Sequence, residues 1–145
     1  MKNQVYNPYL PLTEYVLDGE PHVFGDRVYV YGSHDKAGSD RFCVQDYTVY
    51  SAPVGDLSDW VCYGVTYGKD QDPRSIKGKL VDYYAPDCVQ GNYGRYYLYY
   101  VAMGPNTKNF GPMSVAVSNS PSGPFEYVDD IKWPDGTPMT MFLTN

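Results

Sequence analysis

An all-β fold is what this sequence predicts, and three observations predict it. Tyrosine is unusually abundant, 17 of 145 residues, and its apolar ring with a polar tip suits a pleated, half-buried surface. The chain is broken every few residues by 14 Gly and 12 Pro, which leaves little room for helices. Between the breaks lie short segments in which apolar and polar residues alternate, the period of strands with one buried face. With 43% hydrophobic and 19% charged residues, the composition is that of a globular domain, long enough to bury a core.

The first clear strand signal is 27–33, RVYVYGS. The pair Gly25-Asp26 before it makes a tight turn, so 21–24, PHVF, is expected to be its antiparallel partner. A third strand reads at 47–54, YTVYSAPV, and a fourth at the end of DLSDWVCYGVTY. A polar loop, 68–82, follows, and then the pattern begins again. APDCVQG precedes the turn NYG and the strand RYYLYYVAM; after a loop at 104–112 come MSVAVSNS, the turn PSGP and FEYVDDIKW. PHVFGDRVYVYGS thus resembles PDCVQGNYGRYYLYYVA, and YTVYSAPVGDLSDWVCYG resembles MSVAVSNSPSGPFEYVDD. Two similar units of about four strands, approximately 15–67 and 83–133, point to a β-propeller with four-stranded blades. At roughly 40–50 residues per blade the chain, 1–145, makes one incomplete propeller domain of about two to three blades, fewer than the four a ring needs.

Charge narrows the function. A net charge of −6 without a basic cluster is the wrong sign for nucleic acid. No segment approaches the roughly 20 apolar residues of a membrane helix, so no membrane partner is expected. The opening residues carry no apolar stretch of the secretory kind, and a cytoplasmic location is the expectation. Cys43, Cys62 and Cys88 are odd in number and match no zinc spacing, so they read as reduced thiols.

Acidic residues stand at the start of both units: Asp18 and Glu20 in LDGEPHVF, Asp87 in YYAPDCVQ. An Asp beside Pro is a common turn residue. In a propeller, however, residues that open the innermost strands of different blades converge on the central axis. Paired carboxylates there could divide acid and base work between them.

These motifs resemble glycoside hydrolase family 43, whose members are five-bladed propellers that cleave arabinofuranosides, xylosides and related plant-polysaccharide linkages. A first-blade Asp of that family precedes a GD turn and a Tyr-rich strand. Asp18 matches without a gap, with Gly25 seven positions on, Asp26 eight and Tyr31 thirteen. Glu20, followed by Pro21, resembles the family's Asp-Pro dipeptide after a two-residue deletion and is the alternative. YAPDCVQGNYGRYYLYYV resembles the second-blade signature. The resemblance, which runs from about Asn7 to Gly136, implies an inverting hydrolase. Asp18 would be the general base, and Asp87 would orient the general acid and hold up its pKa. Inversion needs base and acid about 6.5–9.5 Å apart, to admit water, and a third carboxylate near the acid disfavours its ionisation. His34, Asp35 and Tyr84 are the candidates for sugar contacts, with a hydrogen-bonded strand residue and a packing aromatic as the plainer readings for His34 and Tyr84. Trp60 reads as packing.

The pattern departs from the family in one respect. The family's acid is a third-blade Glu, whereas the three Glu here are Glu14, Glu20 and Glu126, none in a matching context. The final MTMFLTN also stands where a polar loop into a third blade is expected. The expectation is therefore a truncated hydrolase, weak or inactive alone. The alternative is a non-catalytic carbohydrate-binding or self-associating propeller fragment, forming a homo-oligomer through open blade edges. No cofactor is implied beyond a structural calcium that occurs in the family and is assigned to no residue here.

Overall fold

The computed structural model describes residues 9–75, 81–104 and 110–140. Eight strands form in chain order: β1 (Tyr15–Phe24), β2 (Arg27–Asp35), β3 (Tyr47–Pro53), β4 (Val61–Tyr67), β5 (Asp82–Gln90), β6 (Tyr96–Met103), β7 (Phe110–Ser118) and β8 (Glu126–Asp130). They make two antiparallel meanders, β1-β2-β3-β4 and β5-β6-β7-β8. The sheets meet where β5 packs against β1 and β2. This is the arrangement of two neighbouring propeller blades, an open arc rather than a ring. After β8 the chain turns back along β7, with the Met113 amide donating to Met139 O at 2.7 Å and the Ile131 amide to Met113 O. No third sheet forms among the described residues.

Two strands begin earlier than the alternation predicts, at Tyr15 instead of 21 and at Phe110 instead of 113. In β1 the reason is a bulge. Pairing with β2 breaks between Leu17 and Glu20, so the stretch LDGE loses the strand period while both ends stay paired. The bulge sits hard on β2: a Cβ on Gly32 would lie 2.6 Å from Leu17 O and 2.5 Å from a Val16 methyl. A second bulge interrupts β5 between Tyr84 and Asp87.

Alternate residues of β2 and β3, Tyr29, Tyr31, Tyr47 and Val49, face the second sheet and join Tyr83, Cys88, Leu98, Tyr100 and Phe125 in one core. Tyrosine builds the centre of it. Tyr83 stacks between Tyr47 and Tyr67 at 4.8 and 5.2 Å and meets Tyr100 edge-on at 5.0 Å. The hydroxyls find partners, as buried ones must. Tyr67 shares a hydrogen bond with Tyr100, Tyr83 donates to Gly68 O, and Tyr47 donates to Tyr84 O. Six tyrosines are buried in this core, so much of the tyrosine excess serves sheet-to-sheet packing.

The link between the sheets is charged inside. Asp72, fully buried, accepts two hydrogen bonds from the Arg74 guanidinium and one from Tyr100. Arg74 also reaches Ser114 Oγ on β7 at 2.7 Å. Every buried side-chain nitrogen and oxygen among the described residues has a hydrogen-bond partner.

Candidate functional site

Both acidic motifs lie at the bulges of the strands nearest the junction between the sheets. Asp18 occupies the first bulge with φ +56°, a left-handed conformation that Asp tolerates better than most residues. Ala85 takes the corresponding place in the second, with φ +41°, ahead of Pro86. Left-handed backbone on an alanine before proline is strained, and it sets the course of the chain into Asp87. Register equates the two motifs differently from sequence spacing. Glu20 lies opposite Tyr31 just after its bulge, and Asp87 lies opposite Tyr99 just after its own.

Ser33 joins the bulges. It is fully buried, and its Oγ accepts the Ala85 amide at 2.8 Å while making a long, 3.5 Å contact to Asp18 Oδ2. Asp87 is anchored from the other sheet, with Oδ1 at 2.5 Å from His22 Nε2. The same oxygen accepts the Cys88 amide at 2.8 Å. Asp18 and Asp87 are thus brought to one junction, both exposed. Glu20 is exposed on the same strand.

The surroundings are anionic. Burial pushes the Cys43 thiol up to about 11, helped by the charges of Asp35, Asp18 and Asp82 and opposed by a Ser33 hydrogen bond. Asp82 is neutralised in turn by Lys69 at 2.6 Å, itself buried, and by Arg41 at 3.0 Å.

The other candidates fall in different places. Asp35 fastens the loop after β2, accepting the Cys43 amide through its carboxylate and the Gln45 side chain through its carbonyl. Tyr84 is half-buried beside the second bulge, its ring edge-on to Phe110 at 5.0 Å. His34 is not brought to the junction. It alternates with Ser33 and so points to the outer face of the first sheet, bonded to Asp46 O and to Glu14. There it lines a cavity of about 220 Å³ with Thr48, Tyr50 and Cys62. Trp60 packs on Tyr9 at 5.2 Å and donates to Leu57 O.

His22 and Ser33 were not picked out by the sequence patterns. His22 is two residues from Glu20 and therefore on the same side of the strand, a signal that needed the correct start of β1. Among the described residues no group of three His, Cys, Asp or Glu is arranged to hold a metal ion. No helix among them is long and apolar enough to cross a membrane.

No family model matches the chain. It is 47% identical over 137 residues to a xylosidase/arabinosidase of Thermoclostridium stercorarium, covering 94% of this chain and 28% of that protein. It is 32% identical to xylosidase/arabinosidase 43A of Humicola insolens, over 77% of this chain and 34% of that one. Among solved structures it is similar to the GH43_1 enzyme of Xanthomonas citri complexed with xylose, with TM-score 0.64 and 28% identity over 85% of this chain and 38% of that one. It is also similar to a GH43 beta-xylosidase/alpha-arabinofuranosidase from a compost metagenome in complex with xylotriose, with TM-score 0.60 and 32% identity over 85% and 41%. The chain spans 28% and 34% of the length of these two curated relatives.

Proposed function

The chain belongs to glycoside hydrolase family 43, and on that premise we propose that it carries the base side of an inverting glycosidase site acting on xylosides or arabinofuranosides. The observation that carries this reading is the Ser33 bridge, which joins the bulge bearing Asp18 to the bulge leading into Asp87. Asp18 is the general base: it draws a proton from water as the water attacks the anomeric carbon from the face opposite the leaving group. Asp87 is the carboxylate that orients the acid and holds up its pKa. The acid itself is assigned to no residue here. The relatives solved with xylose and xylotriose support a pentose-type substrate.

The test is hydrolysis of dinitrophenyl xyloside and arabinofuranoside by the purified chain. Such leaving groups depart with little protonation, so the base is probed without the acid. Asp18→Asn is expected to lower turnover by roughly 10²–10⁴, the usual worth of a positioned acid or base, while Glu20→Gln keeps it within a few-fold. The opposite pattern would make Glu20 the base, and a wild type that cleaves neither sugar would remove the hydrolytic reading.

A further inference from the structure

We infer that His22 is the positioning residue of Asp87, an assignment that rests on the role proposed for that carboxylate. The two residues are 65 positions apart and stand on different sheets, His22 on β1 and Asp87 on β5. The carboxylate is acceptor-only when ionised, so the 2.5 Å contact requires the proton on His22 Nε2. The imidazole is itself held, stacked on Phe24 with centroids 5.9 Å apart and 12° between planes, and leaning on Tyr31 at 6.4 Å.

What the contact does follows from exposure. The Asp87 side chain is 58% exposed against 27% for His22. A carboxylate so open to water would rotate freely on its own. Here both donors, His22 Nε2 and the Cys88 amide, fall on Oδ1. No described residue donates to Oδ2. One oxygen is therefore anchored twice, and the other is left for whatever occupies the site. The amide comes from the next residue of Asp87's own strand, whereas the imidazole comes from the neighbouring sheet. The packing of the first blade on the second thereby sets the orientation of a carboxylate that the second blade carries.

The experiment compares the wild type with His22→Phe, which keeps a flat ring against Phe24 but has no donor, and His22→Gln, which restores an N–H. The readout is the set of three-bond couplings that report the Asp87 side-chain rotamer, with thermal melts to verify folding. The wild type and His22→Gln are expected to show one Asp87 rotamer, and His22→Phe an averaged set. Ring nitrogen spectra form the second readout: Asp87→Ala is expected to abolish the protected Nε2 proton of His22 while leaving the signals of His34 in place. A single Asp87 rotamer in folded His22→Phe, or His22 signals unchanged by Asp87→Ala, would overturn the inference. Both readouts are independent of turnover. A wild type inert toward dinitrophenyl glycosides would thus remove the proposed hydrolysis while the couplings still decide the anchor.

Discussion

The Ser33 hydroxyl accepts the Ala85 amide at 2.8 Å, across 52 residues of chain and from one sheet to the other. The contact is buried on the Ser33 side and supports a backbone that alanine adopts unwillingly, at φ +41°. Ser33→Ala is expected to leave that N–H without its acceptor, at a cost of about 1–3 kcal/mol. Urea denaturation checks this, and an unchanged midpoint would mean that the second bulge is held by other contacts.

Gly32 is where the first bulge presses on β2. An added Cβ would meet Leu17 O at 2.6 Å, and a backbone atom cannot swing aside as a side chain can. Gly32→Ala is expected to destabilise the chain by about 1–3 kcal/mol, the scale of overpacking. It should also displace Asp18, so chemical shifts at residues 17–20 are the site-specific check. Gly55, with open space around its Cβ position, is the control for which Ala should be tolerated.

Asp72 makes the acid limb of stability predictable. Burial alone would raise its carboxyl, but the hydrogen bonds from Arg74 and Tyr100 outweigh burial and hold it below the ordinary 3.8. A depressed folded value means a contribution that is complete above the unfolded value of 3.8 and lost as pH falls through the folded one. Denaturation midpoints of the wild type should therefore fall more steeply below pH 3.8 than those of Asp72→Asn. At neutral pH that variant should be less stable by about 3–5 kcal/mol, because it leaves Arg74 without its counter-charge. Parallel acid limbs in the two proteins would show that the pair does not titrate as described.

The three cysteines are free and differ in reactivity. Burial raises Cys43 to about 11 and Cys88 to about 12. For Cys62 burial opposes ionisation too, but hydrogen bonds from Thr48, Tyr50 and the Gly64 amide prevail and bring it below the ordinary 9.0. The thiolate is the reactive form, so iodoacetamide at neutral pH should label Cys62 first, with Cys43 and Cys88 following only on unfolding. Mass spectrometry of tryptic peptides reads the order directly, and early labelling of Cys43 would show its loop opening.

Strand periodicity and the turn residues made the all-β class and the repeated four-stranded pattern legible, because both are local. Gly25-Asp26 and NYG mark their hairpins by their own backbone preferences, and the β-branched and aromatic run of RVYVYGS marks a strand, which is buried on both faces. The acidic motifs could be found for the same reason, since their spacing to the turns lies within one hairpin. A bulge hides itself from such reading. LDGE breaks the period, so β1 appeared to begin six residues late, and His22 lost the neighbour that would have put it on the Glu20 side.

By itself, then, the sequence determined the strands, the turns and the two carboxylate-bearing stretches, all of which follow from preferences within a few residues. Only the tertiary structure decided that six tyrosines would be core, that His34 would face outward while Ser33 faces the second sheet, and that His22 would grip Asp87. The physical reason is register. A period of two says that neighbours point opposite ways, but the pairing of β1 with β2 and the packing of β5 against both decide which way is inward. Contacts between residues 52 and 65 positions apart exist only once two sheets have closed on each other.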